Sequence, residues 1–222
     1  MKAIILGATG MIGKGVLLEC LDHPNIETVL SLGRSSLELK HPKLQQIKHA
    51  HLMDLRAITL ELQGYDACFF CLGISAAGMS EADYTKVTYD YTLSVAKTLV
   101  QMNPAMTFIY VSGQSTDSSE KGRMMWARVK GKTENDLMKL GFKKAIMFRP
   151  GGIIPLRGIQ SRTKAYRFMY TYLTWLLKLI EKISPNSITD TTRIGLAMIN
   201  APEYETDRSI LDPGMINALA AR

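Results

Sequence analysis

The seven residues Gly7-Ala8-Thr9-Gly10-Met11-Ile12-Gly13 constrain this chain more than any other feature. They follow a short apolar run, Lys2 to Leu6, and lead into a stretch where Ile12, Val16 and Leu17 fall on one helical face. Glycines at such a junction permit a tight turn, and they let a bulky anion approach the free N–H groups at the helix start. Gly13, one turn into the helix, lets helix and strand pack closely. The glycine pattern alone says little. Its position between a strand and a helix makes it a cradle for a diphosphate.

Short apolar runs then alternate with longer helical patterns, as expected of βαβ units. The runs are Thr28 to Leu32, closed by Gly33, then Leu44 to Leu52, Asp66 to Leu72, Thr107 to Val111 and Ala145 to Phe148. Helical patterns cover Ser80 to Met102, stopped by Asn103-Pro104, and Met124 to Leu140, ended by Gly141. The expected fold class is α/β, a Rossmann-type doubly wound parallel sheet. Residues 1–155 read as its NAD(P)-binding core. Residues 156–222 read as a small, mostly helical C-terminal lobe over the carboxyl edge, within one structural domain. Its expected elements are helices over Thr163 to Ile183 and Thr191 to Asn200, a short strand over Ser209 to Leu211 and a terminal helix.

A diphosphate cradle raises the question of which ribose it serves. NAD sites usually carry an acid about twenty positions after the glycine loop, where it accepts from the 2′-hydroxyl. Here the second run ends Leu32-Gly33-Arg34-Ser35-Ser36, without an acid. A guanidinium beside hydroxyls suits a 2′-phosphate, so Arg34 and Ser35 point to NADP, with NAD the lesser candidate. The net charge of +7 agrees with an anionic ligand. Its Lys and Arg are dispersed and not interleaved with aromatics, so nucleic acid is not the expected partner.

Three cysteines, Cys20, Cys68 and Cys71, form no disulfide framework and suggest a reducing compartment. The apolar run at Met1 to Gly7 is too short for a signal peptide. The longest apolar stretch, Phe168 to Ile180, is too short to cross a bilayer and contains Lys178. A cytoplasmic protein with no membrane partner is therefore expected. That stretch, including Trp175, reads as a packing helix or a subunit contact, which admits a homodimer. Cys68 and Cys71 are an odd number of strand positions apart and point to opposite faces, and no metal site is expected of them or of His49 and His51. Arg157, Arg162, Lys164 and Arg167 follow the sixth run as a solvated basic face or a rim of the ligand mouth.

Taken together, these residues resemble the short-chain dehydrogenase/reductase superfamily, in its atypical and extended, NAD(P)-dependent epimerase/dehydratase-like branches. Within those, the likeness is to the Tat-interacting oxidoreductase-like group. The resemblance implies cofactor-contacting roles for Gly7, Thr9, Gly10, Met11, Ile12 and Gly13 in the glycine loop. It implies the same for Asp54 and Leu55 beside the adenine, and for Cys71, Leu72 and Gly73 after the fourth strand. Pro150 and Gly151, in the R-P-G turn begun by Arg149, fall on the nicotinamide side. Val87 to Thr92 is similar to the family's V-N-x-x-G-T segment, with Thr88 in place of Asn and Tyr91 in place of Gly.

One departure decides the chemistry. Where the family has Y-x-x-x-K, this chain reads Trp126-Ala127-Arg128-Val129-Lys130. The i, i+4 spacing leaves Lys130 in its usual place and able to hold ribose hydroxyls. An indole N–H is far too weak an acid to replace the phenol that passes a proton to the substrate oxygen. Ser112, with Ser115 behind it, remains able to orient a carbonyl, and Tyr84, Tyr89 or Tyr166 could supply a displaced phenol. The catalytic candidates are Ser112, Trp126 and Lys130. The expected function is an NADP-binding oxidoreductase that reduces a small carbonyl substrate. The alternatives are a non-catalytic NADPH-binding regulator or scaffold, and a nucleotide-sugar epimerase-like activity.

Overall fold

The computed structural model describes residues 1–159, 183–184 and 186–222. Seven parallel strands form the main sheet. In chain order they include β1 (Lys2–Leu6), β2 (Thr28–Gly33), β3 (Leu44–Lys48), β4 (Ala67–Phe70), β5 (Thr107–Val111) and β6 (Lys144–Phe148). A separate parallel pair, β7 (Gly152–Ile154) and β8 (Ile188–Asp190), follows, and β9 (Ile210–Leu211) returns to the main sheet. The order across that sheet is β3-β2-β1-β4-β5-β6-β9. The chain reverses direction of travel between β1 and β4, which opens a crevice at their carboxyl ends.

The strands alternate with period two between two cores. Ala3, Ile5, Phe69, Ile109 and Phe148 face one layer; Ile4, Leu6, Phe70, Phe108 and Met147 face the other. The first core lies beneath α1 (Met11–Asp22), α5 (Thr191–Asn200) and α6 (Pro213–Ala220). The second lies beneath α3 (Tyr91–Met102) and α4 (Met125–Leu137). Both faces being covered explains why β4 and β5 are buried along their whole length and, Thr107 apart, built of apolar and aromatic residues. As expected of an odd spacing, Cys68 packs in the second core, whereas Cys71 packs against the first.

The long helix expected over Ser80 to Met102 is broken into three parts. Ser80 caps α2 (Glu81–Thr85), its hydroxyl accepting from the Asp83 N–H at 3.1 Å. A π-helical turn, Lys86–Asp90, then precedes α3. One extra residue in a turn shifts the face presented downstream, which apolar periodicity does not reveal. Asn103 ends α3, its side chain accepting from the Gly64 and Tyr65 N–H groups and donating to the Leu62 carbonyl. The third run is shorter than expected, ending at Lys48 and not at Leu52.

Of the segment 156–222, the described residues supply β9 at the sheet edge beside β6 and α5 against α1. Gly15 makes that helix contact close: a Cβ there would lie 2.6 Å from the Thr191 Cβ. Almost all of the helix expected over Thr163 to Ile183, with Tyr166 and Trp175, lies outside the described residues. So do Arg162, Lys164 and Arg167.

Candidate functional site

The glycine loop folds as its sequence requires. Gly7 sits at φ +83°, in the left-handed region open to glycine, and a Cβ there would lie 2.6 Å from the Cys71 carbonyl oxygen. Its own carbonyl accepts from the Gly10 N–H at 2.8 Å, closing the turn. A Cβ on Gly13 would lie 2.2 Å from the Gly7 carbonyl oxygen, so only glycine lets α1 start this close to β1. Gly10 caps α1 without a side-chain hydrogen bond, and the first turn carries no acid. The helix start thus keeps free N–H groups and a positive dipole end for an anion.

A cavity of about 530 Å³ opens over this turn at the β1–β4 crevice. Gly7, Thr9, Gly10 and Met11 form one wall, Arg34 and Ser35 a second, and Cys71, Leu72 and Gly73 a third. Arg34 is exposed and forms no hydrogen bond or ion pair among the described residues. Ile12 and Gly13 shape the helix start without lining the cavity.

Asp54 and Leu55, expected beside an adenine, do not line it; Leu52 does. The Asp54 carboxylate instead chelates Arg56, accepting from Nε at 2.9 Å and Nη2 at 2.6 Å. Those bonds hold its pKa well below the usual carboxylate range. Leu55 is buried in the second core. The His49 Nε2 lies 2.7 Å from the Asp54 carbonyl oxygen. Arg157 ion-pairs with Glu19 and Asp22 of α1, which takes it away from the mouth it could have rimmed.

A second chamber, also about 530 Å³, shares Ile74 and Ser75 with the first. Its walls bring together Ser112, Trp126 and Lys130, and add Tyr84, Gln114, Ser115, Pro150 and Gly151. Trp126 and Lys130 come from successive turns of α4, while Ser112 follows β5. The Lys130 ammonium donates to the Ser112 carbonyl at 2.5 Å. Burial lowers its pKa from the ordinary range to about 8, although Glu134 pulls the other way.

The Ser112 hydroxyl lies against the Glu134 carboxylate and 3.2 Å from the Phe148 carbonyl oxygen. Its single proton is therefore directed into the protein, and the hydroxyl cannot at the same time donate to a substrate carbonyl. Sequence reasoning missed Glu134. It lies one turn beyond Lys130, as Lys130 lies one turn beyond Trp126, and that spacing is the only signal for it. Glu134 is fully buried and ion-paired with Arg149, whose Nε also lies 3.1 Å from each carboxylate oxygen. The R-P-G turn is thereby tied to α4. Tyr89 is committed elsewhere, donating to Asp136 at 2.8 Å.

No family model matches this chain. FMP52-2 of Scheffersomyces stipitis, named mitochondrial, is 30% identical over 152 residues, covering 67% of this chain and 65% of that protein. The chain thus spans just under two thirds of that relative's length. FMP52 of Candida albicans is 24% identical over 196 residues, with 85% and 84% covered. HTATIP2 of Rattus norvegicus is 28% identical over 156 residues, with 69% and 63% covered. Among solved structures, UDP-glucose 4-epimerase of Thermotoga maritima superposes with a TM-score of 0.70 at 11% identity, over 99% of this chain and 81% of that one. WbmF of Bordetella bronchiseptica, solved with NAD+, gives 0.68 at 13% identity, over 99% and 76%. The yeast short-chain dehydrogenase/reductase YIR035C gives 0.67 at 15%, over 99% and 98%.

These relatives overturn the cytoplasmic expectation, because the FMP52 proteins are named mitochondrial. The cysteines on which it leaned do not report a compartment: all three are free, with Cys20 and Cys68 buried in opposite packed cores. The chain has the fold of the short-chain dehydrogenases and NAD-dependent epimerases, and it is homologous to the Tat-interacting protein HTATIP2.

Proposed function

We propose that this chain is an NADP-binding oxidoreductase that reduces a small carbonyl compound. The observation that carries this reading is that the two chambers adjoin, with Ile74 and Ser75 lining both. One wall system runs from Arg34, past the glycine turn, to Lys130. The NAD+ bound by the neighbour WbmF supports a nicotinamide dinucleotide here. The turn that a Cβ at Gly7 or Gly13 would fill fits a diphosphate. Arg34, unpaired among the described residues and next to Ser35, suits a 2′-phosphate.

When bound, the dinucleotide supplies hydride. The chain's own residues bind and orient it. The α1 N–H groups hold the diphosphate, Arg34 and Ser35 take the phosphorylated ribose, and Cys71 to Gly73 border the sugar. Lys130 lies ready for hydroxyls of the second ribose, and Pro150 and Gly151 close the far wall. A nucleotide-sugar substrate fits less well: among the described residues, Lys130 is the only charged side chain lining the second chamber.

Two observations favour a second reading, a non-catalytic NADPH-binding regulator: Trp126 stands in the phenol's place, and the Ser112 proton is directed at Glu134. Following NADPH absorbance with a panel of aldehydes and quinones separates the two. Turnover by the native chain is expected. Tight binding without turnover, together with activity gained in Trp126→Tyr, would establish the regulator instead.

A further inference from the structure

Carbonyl reduction needs a proton as well as a hydride. The Trp126 N–H is too weak an acid to give one. The Ser112 proton is directed into the protein. Tyr89 lines neither chamber and donates to Asp136. Tyr84 does line the second chamber, but burial pushes its phenol above the ordinary range and makes it a poorer acid. Lys130 lines the same chamber, and its ammonium carries three N–H groups, of which the Ser112 carbonyl takes one.

We propose that Lys130 is itself the general acid, giving a proton to the oxygen of a carbonyl held in the second chamber in place of the displaced phenol. This rests on the reductase reading above. The step balances: a reduced nicotinamide gives hydride to the carbonyl carbon and is oxidised. The C=O π pair moves to oxygen, and a Lys130 N–H bond breaks to protonate it. The neutral amine left behind regains its proton from water through the open chamber.

The surroundings suit the role. Glu134, on the same helix, is ion-paired with Arg149, which follows β6, and burial of Lys130 outweighs the pull of its carboxylate. Among the described residues, Tyr84 from α2 is the other titratable side chain lining the chamber and Tyr110 from β5 lies beside it; burial pushes both phenols above their ordinary range. Trp126, one turn before Lys130, lines the same chamber. A lysine whose pKa is about 8 loses its proton far more readily than one in water.

Two measurements on the full chain test this. In the first, without cofactor, acylation of Lys130 by a small neutral ester is followed by mass spectrometry from pH 6 to 10. Half-maximal labelling is expected near pH 8, against roughly 10.4 for an ordinary lysine. A midpoint at the ordinary value, or no labelling at all, would overturn the proposal, because a proton donor must be both reachable and acidic. In the second, NADPH oxidation with benzaldehyde and 9,10-phenanthrenequinone is compared across variants. Lys130→Ala should lose about 100-fold or more in kcat and regain at least about tenfold with added methylammonium. Lys130→Arg keeps the charge but not a releasable proton, and should stay as slow as Lys130→Ala. Full rate in Lys130→Arg, or NADPH binding without turnover by the native chain, would overturn the acid role and leave the cofactor reading standing. Failure to bind NADPH at all would overturn both.

Discussion

Gly13→Ala is expected to abolish dinucleotide binding, with NADPH affinity falling at least about 100-fold, or roughly 3 kcal/mol. The added methyl would stand 2.2 Å from the Gly7 carbonyl oxygen and 2.6 Å from its carbon, both backbone atoms that cannot rotate away. Either α1 moves off β1 or the turn opens. Both remove N–H groups from the position where a diphosphate meets them. Overpacking of this kind also costs about 1–3 kcal/mol of stability, so a lowered urea midpoint should accompany the loss. Gly10→Ala is the internal comparison: its methyl would lie 3.2 Å from the Gly7 oxygen, and a much smaller loss is expected. Isothermal titration of both variants with NADPH checks the order. Equal effects would show that the close approach at Gly13 is not what the cradle depends on.

The second large effect is on stability. Glu134→Ala should destabilise the fold by about 3–5 kcal/mol, because it leaves the Arg149 guanidinium without its buried counter-charge. Arg149 would keep its bond to Ser118, at 2.5 Å, and lose its ion pair and hydrogen bonds with Glu134 of α4. Glu81→Ala removes the partner of Arg128 at a surface where the two side chains are 53% and 26% exposed. That change should cost no more than about 1 kcal/mol. Urea denaturation of the two variants gives the comparison. A cost for Glu134→Ala as small as that for Glu81→Ala would mean that the R-P-G turn is held without this pair.

The contrast between these pairs shows what sequence reasoning can and cannot reach. The strands at Thr107 to Val111 and the helix at Thr191 to Asn200 were readable because apolar runs, periodicity and capping residues are local properties. The glycine turn was readable because φ +83° and a close backbone approach admit one residue type. Glu134 was not, since its burial depends on Arg149 reaching it from the end of another strand. The Ser112 hydroxyl looked free for a substrate for the same reason. Asp54 failed differently. Its motif matched, but Arg56 two residues later captures the carboxylate locally, and the chain hands the cavity wall to Leu52. The π turn at Lys86–Asp90 places Tyr84 in one chamber and Tyr91 in the other, a division that regular helical spacing does not foretell.

In the proposed function, backbone amides hold a diphosphate while a neighbouring guanidinium selects the phosphorylated ribose. Titrating the native chain and Arg34→Ala with NADPH and with NADH tests this most directly. NADPH should bind the native chain at least about tenfold more tightly than NADH, a difference of roughly 1.4 kcal/mol, and Arg34→Ala should erase that preference while leaving NADH affinity unchanged. Equal or tighter binding of NADH by the native chain would contradict the selection by Arg34. Binding of neither nucleotide would contradict the proposed function as a whole.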